Sequence, residues 1–262
     1  MCLALVALDV HPRYALVIAA NRDEFHARAA EPAHWWPEGI LAGRDRVAGG
    51  TWFGVTREGR WALVTNFREG IPRDPSAPSR GALVSRALLE DTPPLVCAAA
   101  IAQEGDRYHG FNLLVGREKL AAYTSNRASG AIGLTCGIHG LSNHLLDTPW
   151  PKVRRSKARL KTWLDAKDDS VAPLFELLAD RTPAQDAALP ITGVSRTWER
   201  LLSSPFIASP DYGTRCSTVL TIGHDGAACF VERSFDARGV LAGELAHEFT
   251  IETRATLDIS AG

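Results

Sequence analysis

An α+β fold is predicted by three features of the sequence. Apolar strand-like runs occupy both ends of the chain, amphipathic helical stretches lie between them, and no repeat or clear linker divides it. The sheets are therefore assembled from segments far apart in sequence, within a single layered domain spanning 1–262. A chain of 262 residues with 45% apolar and 23% charged side chains is long enough, and ordinary enough in composition, to bury a substantial core.

The elements follow in order. Leu3 to Asp9 and Tyr14 to Ala20 are apolar runs joined by His11-Pro12-Arg13, which predicts a hairpin. Neither run alternates cleanly, so cover on both faces is expected. Asn21-Arg22-Asp23-Glu24 then ends the apolar run abruptly. Residues 29–50 read as loop, with Pro32, Pro37 and Gly49-Gly50. Thr51 to Val55 and Trp61 to Thr65 predict two strands, and the proline-rich 70–79 another loop. Helical spacing covers Gly81 to Glu90 and Pro94 to Glu104. Strands resume at Phe111 to Val115, Leu120 to Thr124 and Ile132 to Cys136. Trp150 to Lys167 predicts an amphipathic helix with Pro151 in its first turn, and Val171 to Leu178 a second. Residues 181–213 read as an irregular flap. Arg215 to Ile222, Ala227 to Glu232 and His247 to Ile251 return to strand character.

Charge excludes several function classes. Lys plus Arg is 29 against 30 for Asp plus Glu, which gives no footprint for nucleic acid or an anionic membrane. A local basic patch runs from Lys152 to Lys161. The longest apolar runs fall far short of the roughly 20 residues that span a bilayer, and no secretory leader is expected. Eight histidines form no HExxH-like pair, so no metal site is predicted. The five cysteines contain no CxxC, which argues against a zinc knuckle or disulfide framework and for a reducing, cytoplasmic compartment. Cys97, Cys136 and Cys229 read as small buried hydrophobes.

Cys2 stands apart. With Met1 removed, one residue would carry both a thiol and an α-amine, and the amine's ordinary pKa of about 7.7–8.0 suits it to act as base. The chemistry needs a group to orient that amine and donors for an oxyanion. Asp23 lies at the end of the second strand, within reach of the start of the first. Asn66, Asn143 and Arg215 each sit at the edge of an apolar run. Bland readings also fit: a solvated turn for Asn21 to Glu24, a helix N-cap for Asn143, an ion-pair partner for Arg215.

The motifs carry a specific resemblance. Met1-Cys2-Leu3-Ala4 followed by Ala20-Asn21-Arg22-Asp23-Glu24, Leu141-Ser142-Asn143 with the stretch from Leu146 to Val153, and Tyr212-Gly213-Thr214-Arg215 with Ser217-Thr218-Val219 resemble the NRDE family, also called the transport and Golgi organization protein 2 family. That family is similar in turn to the choloylglycine hydrolases. The resemblance implies a four-layer αββα N-terminal-nucleophile sandwich of mostly antiparallel sheets. It implies Cys2 as nucleophile, Asp23 holding its amine, Asn66 and Asn143 near the oxyanion, and Arg215 as a site arginine. One departure is that those hydrolases carry an arginine where this chain has Ala20. Arg22 is not expected to replace it, on the argument that neighbouring strand positions face opposite ways.

Two functions are expected from this. The first is a cysteine amidohydrolase cleaving a linear C–N amide of a small apolar or acyl compound, with no cofactor required. The second, implied by the family, is a carrier of haem or of acyl-CoA and lipid on the same scaffold. Asn21, Arg22 and His144 are expected to contact the ligand. Trp35 and Trp36, on a proline-flanked loop, are expected to line an apolar groove.

Overall fold

The computed structural model describes residues 3–71, 74–167 and 169–252. Among these residues thirteen strands form two sheets, and every pairing is antiparallel. In chain order the strands are β1 (Leu3–Leu8), β2 (Tyr14–Phe25), β3 (Ala30–Trp35), β4 (Ile40–Asp45), β5 (Phe53–Thr56), β6 (Arg60–Asn66) and β7 (Phe111–Arg117). Then come β8 (Leu120–Ser125), β9 (Ala131–Gly133), β10 (Gly137–Leu141), β11 (Tyr212–Gly223), β12 (Ala227–Phe235) and β13 (Leu241–Thr250). The α-helices described are α1 (Gly81–Leu89), α2 (Pro94–Gln103), α3 (Pro151–Ala166), α4 (Ala172–Leu178) and α5 (Arg196–Leu201).

The first sheet has the order β10-β1-β2-β11-β12-β13, the second β3-β4-β5-β6-β7-β8-β9. Residues of β1 show why the sheets stack. Ala4, Val6 and Leu8 enter a core between the sheets, with Phe53, Trp61, Leu63 and Leu114 of the other sheet. Leu3, Leu5 and Ala7 point the other way, into a core beneath α3 and α4. Strand alternation thus feeds two hydrophobic layers at once, which is why β1 is apolar throughout. A third core packs α1 and α2 on the outer face of the second sheet. The order of layers is helix, sheet, sheet, helix, as expected.

Several expectations are corrected. Residues 29–50 hold β3 and β4. Pro32 is tolerated because β3 is an edge strand whose register breaks between Glu31 and His34. The polar stretch Asn21 to Glu24 is no turn but the continuation of β2, paired with β11 as far as Phe25. The strand expected at Ile132 to Cys136 is cut short, since β9 ends at Gly133 and β10, not expected, begins at Gly137; Cys136 between them is exposed. Its glycine has a packing reason: a Cβ at Gly140 would stand 2.7 Å from Val153 of α3. The flap contains α5, and β11 and β13 begin earlier than their apolar patterns indicate. In the basic patch, Lys152 is buried and donates to the Leu202 carbonyl at 2.8 Å. Among the described residues no helix is long and apolar enough to cross a membrane.

Candidate active site

The polar residues singled out in the sequence gather where β2, β6 and β10 end. Leu3 pairs with Asn21 and Ala4 with Leu141, so β1 starts between these two strands. Cys2, which precedes Leu3, lies outside the described residues.

Asp23 is 2% exposed. Its Oδ1 accepts a 2.6 Å hydrogen bond from the Thr214 hydroxyl, while Oδ2, also buried, has no partner among the described residues. A buried carboxylate oxygen without a donor is costly, and such an atom calls for an explanation. Thr214 is held in turn, because its Oγ1 accepts from the Ile207 backbone N–H at 2.9 Å.

Asn66 ends β6 half-buried, and its carbonyl accepts from Asn143 Nδ2 at 3.0 Å. Asn143 is therefore no helix cap; Trp150 occupies that place on α3. Around Asn143 stands a network with no local sequence signal. The Arg68 backbone N–H donates to the Asn143 carbonyl at 2.8 Å, and its guanidinium to Asn143 Oδ1 at 3.3 Å. Arg68 also forms a 2.7 Å ion pair with Glu199 of α5, both side chains being nearly inaccessible. Glu199 Oε1 takes the Thr192 N–H and hydroxyl at 2.9 and 2.6 Å. The expected flap is thereby fastened to the loop after β6.

Two adjoining cavities, about 310 and 530 Å³, share Asn66, Arg80 and His109 on their walls. The smaller is apolar and aromatic, with Phe25, Phe67, Ile71, Trp198 and Tyr212. Phe25, Trp198 and Tyr212 contact one another edge-on, at centroid distances of 5.1 to 6.4 Å. The larger is polar, with Arg22, Glu24, Arg28, Trp52 and Asp74 among its walls. The end of β2 forms part of both.

Other expected contacts lie elsewhere. Asn21 is wholly structural: Nδ2 donates to the Leu178 and Pro205 carbonyls, and Oδ1 accepts from Ser217. Arg215, at the register break between Thr214 and Cys216, donates to the Phe25 and His26 carbonyls rather than pairing with a carboxylate. Burial, then the neighbouring charge of Arg22, lowers its pKa below the usual guanidinium value. His144 is half-buried, bonded through Nδ1 to the Thr148 hydroxyl at 2.9 Å, and packs on Phe67; burial depresses its pKa. Trp35 and Trp36 do not line a shared groove. Adjacent chain positions face opposite ways: Trp36 is buried towards the α1–α2 core, its indole bonded to the Ala42 carbonyl, and Trp35 packs on Phe249.

Arg22 is a further correction. It is two residues from Ala20, not one, so both side chains share the face turned towards the second sheet. Ala20 joins the inter-sheet core, and the Arg22 guanidinium stacks 4.2 Å from the Trp52 ring centroid. Glycine makes room for that ring, since a Cβ at Gly43 would lie 2.4 Å from it.

Two antiparallel sheets stacked face to face, each covered by helices, with a polar cleft at the strand ends beside the first strand, define an N-terminal-nucleophile hydrolase fold. A Caenorhabditis elegans N-acylethanolamine-hydrolyzing acid amidase ortholog shares the architecture, with a TM-score of 0.51 at 10% identity over 84% of this chain and 92% of the other. The chain belongs to the Transport and Golgi organisation 2 family, which it matches over residues 1–237. It is 35% identical to the Transport and Golgi organization protein 2 homolog of Bos taurus and 33% identical to that of Homo sapiens. Each alignment covers 97% of this chain and 100% of the relative.

Proposed function

We propose that this protein is a cysteine amidohydrolase acting on a linear C–N amide, with Cys2 as its nucleophile. The observation that carries the reading is Asp23: a buried carboxylate, steadied on one oxygen and without a partner among the described residues on the other. It stands at the end of the strand that pairs with β1. Asp23 lies two positions beyond Asn21, the residue that pairs with Leu3. An α-ammonium is the partner that Asp23 Oδ2 lacks.

In this reading the Cys2 thiolate attacks the amide carbonyl while its amine holds the thiol proton. The C–N bond breaks as that proton passes to the leaving nitrogen, leaving a thioester. Water, deprotonated by the same amine, then attacks and releases the acid with the thiol restored. The Asn66 amide, which makes no hydrogen bond among the described residues, and the second N–H of Asn143 Nδ2 supply oxyanion donors. The apolar cavity accepts the acyl group.

The test joins intact mass with kinetics. Protein lacking Met1 should hydrolyse an N-acyl amide, and Cys2→Ala should be inert while keeping its melting temperature. Equal turnover by Cys2→Ala would end the proposal. So would tight haem binding, seen as a Soret band, in protein that cleaves no amide; that result would favour the carrier function.

A further inference from the structure

The Asn143 amide is held in one orientation by two groups of opposite kind. Its Nδ2 donates to the Asn66 carbonyl at 3.0 Å, and its Oδ1 accepts from the Arg68 guanidinium at 3.3 Å. A carbonyl oxygen can only accept and a guanidinium can only donate. A flipped amide would set nitrogen against the cation and oxygen against oxygen. Asn66, Arg68 and Asn143 all line the smaller cavity, so this orientation decides whether Asn143 presents a donor or an acceptor there. Arg68 is fixed in turn by segments beyond the sheet. Its guanidinium lies 4.8 Å from the Trp150 ring centroid and pairs with Glu199 of α5 at 2.7 Å. Next to Glu199 stands Trp198, which is 38% exposed and lines the same cavity. One short helix therefore walls the cavity with one residue and holds Arg68 with the next.

We infer that Arg68 is a positioning residue for the oxyanion donor Asn143, and that α5 makes its action depend on what fills the apolar cavity. An acyl group packed against Trp198 holds α5 in place. Glu199 then holds Arg68, and Arg68 keeps the second N–H of Asn143 Nδ2 turned towards the reacting carbonyl. The binding energy of the acyl chain is thereby realised in kcat rather than in KM. A short acyl group leaves Trp198 without a packing partner in the cavity and gains less from the same site. This assignment rests on the amidohydrolase reading and adds to it a residue and a basis for acyl selectivity.

The experiment uses the neutral para-nitroanilides of acetic, hexanoic and decanoic acid. In the parent protein kcat should rise with chain length by roughly 10- to 100-fold, with a smaller change in KM. Arg68→Gln, whose amide can donate or accept, should flatten that rise, and Arg68→Lys should restore part of it. Trp198→Leu should flatten it as well, with Arg68 and Glu199 untouched. A second measurement needs no turnover. In Cys2→Ala carrying isotope-labelled asparagine, saturating decanamide should slow hydrogen exchange of the Asn143 side-chain amide by about 10-fold or more. The same ligand should have no such effect in Cys2→Ala/Arg68→Gln. A chain-length effect confined to KM overturns the inference whether or not the Arg68 variants fold. So does an undiminished rise in kcat in folded Arg68→Gln, or an Asn143 amide in Cys2→Ala that decanamide leaves unaffected. An exchange effect that depends on Arg68, with no hydrolysis by any form, supports the positioning role while removing the amidase reading.

Discussion

Asp23 combines poor economy with good placement. Its Oδ2 is buried without a donor among the described residues, a feature that lowers stability unless function retains it. Asp23→Asn removes the uncompensated charge and keeps a group for Thr214. The expected outcome is turnover reduced by about 100-fold or more, with an unchanged or higher melting temperature. A fall in both would mark Asp23 as purely structural. Arg68 and Glu199 behave oppositely. Their ion pair is buried on both sides, so Glu199→Gln leaves a desolvated guanidinium without its counter-charge. A loss of about 3–5 kcal/mol in denaturant unfolding is expected. Asn143, held by Arg68, should lose its fixed position, and residual activity should fall with it. None of this pair was legible in the sequence. The two residues are 131 positions apart, and neither lies in a motif.

Strand and helix elements were legible where burial is two-sided or periodic. β1, β2 and α3 stand close to where apolar runs and helical spacing predict them. β3, β4 and β10 were missed because glycine and proline obscure their patterns, and each has a contextual reason. Pro32 sits on an edge strand, Gly43 receives the Trp52 ring and Gly140 receives α3. Gly43→Ala tests the middle case. The new methyl must displace Trp52, and Arg22 with it. Weaker ligand binding is expected from a chain whose circular dichroism still reports the native sheets. Gly140→Val is the more severe change, since it drives β10 against Val153 and Lys157. A loss of about 1–3 kcal/mol is expected from that overpacking, read from denaturant unfolding.

Across the whole molecule, one charge cluster ties the first sheet to its helical cover. His139 of β10 bonds Asp147 through Nδ1 at 3.2 Å, and Lys157 of α3 bonds the other Asp147 oxygen at 2.5 Å. The Asp147 hydrogen bond raises the His139 pKa above its usual 6.5. Although burial opposes it, His139, Lys157 and the Gly140 N–H bring Asp147 down to about 2. The signs follow. His139 binds its proton more tightly when folded, so its contribution is complete below about pH 6.5 and fades as pH rises through the higher folded value. Asp147 contributes above about pH 3.8 and loses that contribution as pH falls towards 2. Urea unfolding of His139→Gln should therefore lack the decline above pH 6.5 seen in the parent, while the acid limb persists.

The sequence by itself determined the layered α+β fold, the family and the polar residues that line the ends of its strands. Apolar periodicity and short motifs are local properties, and they survive without knowledge of neighbours. Tertiary structure alone decided which polar groups are spent and which remain open. Asn21 is consumed by carbonyls of distant segments, while among the described residues Asp23 keeps one oxygen unpartnered and Arg22 keeps its guanidinium free of hydrogen bonds. Hydrogen bonding and desolvation depend on what the folded chain brings alongside, and no spacing along a single strand encodes that.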